Sequence, residues 1–178
     1  MSVVDFQYGR RARNHVAGQA VRDGFDSNGD KVNYNNADPS NSPDVKQRIA
    51  NARRCLSDLE VLTENPRSSQ ELIGFTAQQA LENALKGWIS ALDADYGNTH
   101  DLEDLAAIVR QHSAENDTPA GERLAWLTRY AVRYRYAGAR IVIEDRDALL
   151  SAVTETVEAI VARIRELTAM GEKEPGSD

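Results

Sequence analysis

At 178 residues, with 41% hydrophobic and 28% charged side chains, the chain has the length and composition of one globular domain with room for a core. Its formal net charge of −7 argues against a dedicated binder of double-stranded DNA with an overall basic surface, while leaving room for a local basic patch. Cys55 is the single cysteine, so neither an internal disulfide nor a cysteine-cluster metal site is available.

Residues 1–42 read as an irregular polar arm, with a short helical piece around Arg11–Val21. Met1 to Ala20 carries Arg10, Arg11 and Arg13 but no apolar stretch behind them, which is unlike a secretory signal. No apolar run approaches the roughly 18 residues of a membrane span. The expectation is a cytoplasmic protein without membrane association. Asp23 to Ser42 is crowded with Asn, Asp, Gly and Ser, side chains that bond locally to backbone and favour turns over helix. Asp26, Asn28 and Asp30 resemble the opening of a calcium loop, but Lys31 stands where the loop needs Gly and Ala37 where it needs Glu. A polar turn is the reading, and no metal is expected.

From residue 43 to 170 the pattern is helical. Ser42 followed by Pro43 starts the first helix, with a capping hydroxyl and then a proline where no N–H bond is needed. Val45, Ile49, Ala52, Leu56, Leu59 and Leu62 place an apolar stripe on one face, and Asn65-Pro66 ends it. Ser68 with Glu71 makes a capping box for a second helix running to about Tyr96, with Leu81, Leu85, Trp88 and Leu92 inside and Gly97 as its stop. Thr99 is expected to cap a short third helix carrying Leu102, Leu105, Ile108 and Val109. A fourth helix begins near Pro119, with Leu124, Leu127, Ala131 and Tyr134 as its buried row and Gly138 as its stop. Ile141-Val142-Ile143 reads as a buried connector, since nothing else offers a sheet partner. Asp145 caps the fifth helix, whose stripe is Leu149, Val153, Val157, Ile160, Ile164 and Leu167; residues 171–178 form a polar tail. Helices with short connections hide such stripes only against one another, so the predicted fold is all-α, an up-and-down antiparallel bundle of four to five helices. Apolar surface left over would make a homodimer natural.

Three polar features stand out against this scaffold. Gln78, Glu82 and Lys86 are spaced by four and form a ladder on the second helix, read first as a solvated stripe, although Trp88 and Ile89 follow directly. His100, in Thr99-His100-Asp101-Leu102-Glu103-Asp104-Leu105, is expected at the first turn of a helix, where the positive dipole end would keep it mostly neutral near pH 7. Structural capping accounts for much of that cluster; a functional His100 is the other reading. Between Glu122 and Glu144 there is no acidic residue, while Arg129, Arg133, Arg135 and Arg140 occur among Trp126, Tyr130, Tyr134 and Tyr136. Such a cluster can hold phosphates or stack on bases. Equally, its arginines can pair with carboxylates of neighbouring helices. No phosphate-cradling glycine loop, Ser/His/Asp order or paired-His metal spacing occurs; His15, His100 and His112 are the only histidines.

Residues 43–170 resemble a HEPN domain, the small helical module often found beside minimal nucleotidyltransferases in prokaryotes. The matching text is Ala77-Gln78-Gln79-Ala80-Leu81-Glu82-Asn83-Ala84-Leu85-Lys86-Gly87-Trp88, then Thr99 to Leu105, then Arg129-Tyr130-Ala131-Val132-Arg133-Tyr134-Arg135-Tyr136 and a last helix from Asp145. The resemblance implies a four- to five-helix bundle, usually dimeric, linked to RNA cleavage, nucleotide binding, or toxin–antitoxin and defence systems. HEPN ribonucleases place an Arg, then four to six residues, then a His, in the later helices. Here no His follows His112, Arg110 precedes His112 by two positions, and Arg10 with His15 shows the spacing only in the N-terminal arm.

The leading expectation is therefore a binding module without a cofactor. It would take a nucleotide, RNA or a protein partner through Lys86, His100, Asp101, Arg129, Tyr130, Arg133 and Arg135. One alternative is a metal-independent ribonuclease toxin with a rearranged site, its catalytic candidates being His100, Arg129 and Arg133. Another is a structural dimer that docks a nucleotidyltransferase or other partner through an apolar face.

Overall fold

The computed structural model describes residues 39–113, 125–133 and 142–171, the side chains of 39 and 131–133 excepted. The helical piece at Arg11–Val21, the helix start at Pro119, the basic-aromatic stretch from Tyr134 to Arg140 and the tail beyond residue 171 lie outside them.

Five α-helices occur among the described residues: α1 (Pro43–Glu64), α2 (Gln70–Ala91), α3 (Leu102–His112), α4 (Thr128–Arg133) and α5 (Arg146–Gly171). Single 3₁₀ turns precede α1 at Pro39–Asn41 and α4 at Ala125–Leu127. The fold is the expected all-α antiparallel bundle. The start of α1 follows its sequence signal: Ser42 Oγ accepts from the Val45 N–H, and Pro43 occupies the first turn. For α5, Asp145 accepts from the Ala148 N–H as expected.

Two caps fall elsewhere than expected. Ser69, not Ser68, caps α2, accepting from the Leu72 N–H at 3.1 Å. Ser68 instead closes the preceding turn: its N–H donates to the Asn65 carbonyl, and its own carbonyl receives Arg146 from α5. Asp101, not Thr99, caps α3, accepting from the N–H groups of Glu103 and Asp104. A carboxylate there meets two free N–H groups and the positive helix end together, which a hydroxyl two residues earlier cannot do. The second helix also stops earlier, at Ala91 rather than near Tyr96. Asp93 turns the chain out with φ 54°, ahead of Gly97 at φ 57°.

α2 is the centre of the bundle and packs against each of the other four helices. Such a helix must be apolar nearly all round, and Ile73, Ala77, Ala80, Leu81, Ala84, Leu85, Trp88 and Ile89 are all buried. Leu59 of α1, Leu105 and Val109 of α3, Leu127, and Val153, Val157, Ile160 and Ile164 of α5 complete the core. The 142–143 connector is divided: Ile143 is buried and donates its N–H to Gln70 Oε1, while Val142 is 63% exposed. Among the described residues no helix is long and apolar enough to cross a membrane.

Candidate functional site

Along α2, residues four apart share one row, and each member of the row Gly74, Gln78, Glu82, Lys86, Ser90 meets a group from another segment. Gly74 receives the Tyr130 ring of α4. Gln78 Nε2 donates to the His100 carbonyl oxygen at 3.2 Å. Glu82 takes the His100 ring, Lys86 lies against the Tyr96 ring, and Ser90 donates to Asp44 Oδ2 of α1. The solvated ladder expected from the spacing is thus a buried one: Gln78 is 0%, Glu82 5% and Lys86 5% exposed. The reason is α2's central place, because the apolar residues flanking the row leave it no solvent side.

Glu82 is the hub. Its Oε1 accepts from Lys86 Nζ at 2.8 Å and lies 2.8 Å from His100 Nδ1. Its Oε2 accepts from Gln78 Nε2 at 2.8 Å and Gln79 Nε2 at 3.2 Å. Burial pushes the Glu82 carboxyl upward, but hydrogen bonds from Lys86, Gln78 and His100 and the ammonium charge outweigh it, holding the group below its ordinary value. Glu82 is therefore a carboxylate that only accepts, so the hydrogen between it and His100 belongs to Nδ1. The His100 side chain is 64% exposed, against 7% for Glu82.

This differs from the sequence expectation for His100, which placed it within a helical first turn. His100 precedes the Asp101 cap, and the first N–H groups of α3 are already met, two by Asp101 and that of Leu102 by Thr128 Oγ1 at 2.9 Å. The environment of the ring is set by Glu82, not by a helix end.

The Leu102–Thr128 bond ties the start of α3 to the start of α4. Arg129, next after Thr128, is exposed, so the histidine and the first guanidinium of the basic stretch flank one tertiary contact. Tyr130 is 3% exposed, packs edge-on to Trp126 with centroids 6.0 Å apart, and has its phenol raised by burial and then by Glu71. Asp101 is engaged as a cap. Lys86 turns its ammonium onto Glu82 and the Tyr96 ring. The Arg133 side chain and all of Arg135 lie outside the described residues. Among the described residues no three His, Cys, Asp or Glu side chains come together as a metal site.

Several participants were not singled out from the sequence. Arg48 of α1 donates to Tyr96 Oη at 2.8 Å and to Asn83 Oδ1 at 3.5 Å, and its guanidinium lies 5.6 Å from the Tyr96 centroid. Tyr96 thereby covers Lys86 and braces α1 against the loop that carries His100. No spacing rule links positions 48, 83 and 96. Gly74 did carry a signal, since it lies one turn before Gln78 on the same row.

A family model described as the HEPN domain matches residues 45–170. Neither curated proteins nor solved structures gave a match to the chain.

Proposed function

This chain belongs to the HEPN domain family, and from that premise we propose a binding module of a toxin–antitoxin, defence or nucleotidyltransferase-associated system that takes a phosphate-bearing ligand, nucleotide or RNA, through His100 and Arg129, which stand on segments tied by the Leu102–Thr128 bond. The observation that carries the reading is the Glu82–His100 contact at 2.8 Å on a ring that is 64% exposed at its side chain. A buried carboxylate that fixes one ring nitrogen of an otherwise solvent-facing imidazole orients the other nitrogen for work outside the core. Arg129 supplies a planar fork of donors suited to phosphate oxygens, and Arg133 and Arg135 extend the basic stretch. Lys86 and Tyr130 support the site from within, Lys86 through Glu82 and Tyr130 by seating α4 on α2. A cytoplasmic homodimer acting with a nucleotidyltransferase is the setting the family suggests.

A second reading draws on the same contact. A histidine oriented by a carboxylate is the base-and-orienter part of a general-base site, and Arg129 would stabilise phosphorane charge, giving a ribonuclease with a rearranged site. Thermal melts with ATP and with RNA, alongside gel assays of labelled RNA with and without chelator, test both. Binding without cleavage, weakened by His100→Ala and, in a salt-sensitive way, by Arg129→Ala, supports the module. Chelator-resistant cleavage lost in His100→Ala makes it the enzyme. If neither ligand shifts the melt and no RNA is cut, a docking dimer remains.

A further inference from the structure

His100 is the point of the site where the protonation state of a side chain is constrained by geometry. A neutral imidazole has two tautomers, one donating from Nδ1 and one from Nε2. Glu82 Oε1, 2.8 Å from Nδ1, admits only the first, because an ionised carboxylate cannot return a hydrogen. In neutral His100 the outer Nε2 is then an acceptor with a lone pair, which faces a phosphate oxygen as like meets like. Only the imidazolium carries hydrogens on both nitrogens, Nδ1–H held by Glu82 and Nε2–H free for an anion.

The charge around the ring is mixed, and its cationic share depends on His100. Lys86 Nζ lies 2.8 Å from Glu82 Oε1, so the buried carboxylate already has one counter-charge. With Lys86 and Glu82 cancelling, protonated His100 gives the cluster one net positive charge. Among the described residues, Asp101, Glu103 and Asp104 stand at the start of α3 and Arg129 near the start of α4, the two helix starts being tied by the Leu102–Thr128 bond. Asp101 is turned to the α3 N–H groups, and Asp104 Oδ2 accepts from Thr99 Oγ1 at 3.1 Å.

We infer that the site is proton-gated: a phosphate group binds with uptake of one proton by His100, whose imidazolium bridges the Glu82 carboxylate and a phosphate oxygen. The inference rests on the proposed phosphate-binding reading and adds its regulation. A bound anion would draw His100 into the charged form, and a rise in pH would release the ligand.

The test uses the full chain and two probes, a 2′-O-methyl decaadenylate that cannot be cleaved at its 2′ position, and ATP. Affinities are measured from pH 6 to pH 8, and calorimetry at pH 7.5 is repeated in two buffers of different ionisation enthalpy. The expected result is roughly tenfold tighter binding at pH 6 than at pH 8, net proton uptake on binding, and loss of both in His100→Gln. Because the ATP terminal phosphate itself titrates, its gate is read as the difference between wild type and His100→Gln. Circular dichroism checks that the variant, altered at an exposed ring, stays folded. Binding that is independent of pH, or that tightens as pH rises, overturns the gate and leaves the phosphate site standing. Absence of binding by either probe at every pH overturns both. A response to the oligomer alone assigns the phosphate to a nucleic acid strand, and one to ATP alone assigns it to a nucleotide.

Discussion

The ring of Tyr130 occupies the space where a Cβ of residue 74 would stand, so that Gly74 of α2 and Tyr130 of α4 approach as only a glycine allows. The atoms concerned are Cδ1, Cε1 and Cζ, the body of the ring and not a flexible tip. This contact seats α4, and with it Arg129, against the central helix. Replacing a helical glycine with alanine ordinarily gains up to about 1 kcal/mol. Here Gly74→Ala is expected to lose about 1–3 kcal/mol instead, because overpacking forces the ring or the helix to move. Urea unfolding checks the sign, and in Gly74→Ala/Tyr130→Ala the second alanine should remove the penalty of the first.

Glu82 and Lys86 are each 5% exposed and joined at 2.8 Å. Removing the carboxylate alone leaves an ammonium in the core without its counter-charge. Glu82→Ala should therefore cost about 3–5 kcal/mol. Glu82→Met combined with Lys86→Leu, which removes both charges at similar volume, should recover most of that loss. A double variant as unstable as the single one would mean that the pair is not energetically coupled.

The same carboxylate gives stability a pH dependence of known sign. Its folded value lies below its ordinary one, so the folded state favours the ionised form. That stabilisation is complete above the unfolded carboxyl value, about 4.3, and is lost as pH falls through the lower folded value. The stability gap between wild type and Glu82→Gln, from urea midpoints, should shrink as pH falls below about 4. A gap that widens below that pH would reverse the assignment.

Asp101 accepts from two N–H groups of α3, whereas Thr99 bonds to Asp104 Oδ2 and the Asp101 N–H. Asp101→Ala should lose about 1 kcal/mol, within a range of about 0.5–2, and Thr99→Ala less. Thermal melts of the two variants rank them. Equal losses would return the capping role to Thr99.

Cys55 is partly buried, and burial raises its thiol above the ordinary value, Asp58 adding to the effect and Arg54 opposing it. The thiolate is the reactive form. Iodoacetamide should modify Cys55 more slowly at pH 7.5 than it modifies a free cysteine peptide, and mass spectrometry of timed samples measures the ratio.

The architecture was legible because helix signals are local. Ser42-Pro43, Asn65-Pro66 and Asp145 each act within one turn of the residues they terminate, and the stripes of α1 and α5 repeat with the helix period. The motifs around Glu82, His100 and Arg129 were likewise visible as unusual text, and the family followed from their order and spacing. Caps slipped by one or two residues because Ser68 and Ser69, or Thr99 and Asp101, offer competing side chains that only the final chain path separates.

What the linear order determined, then, was a helical bundle, the inward faces of α1, α2, α3 and α5, and three polar segments set apart from them. What only the tertiary structure decided was their meeting: α2's place at the centre, which turned the 78–82–86 ladder from a solvated stripe into a buried rail, and the His100–Glu82 and Leu102–Thr128 bonds across 18 and 26 residues. Helix periodicity tells which residues share a face, but the partner of that face, and whether a charge on it meets water or another charge, depends on the packing of distant segments.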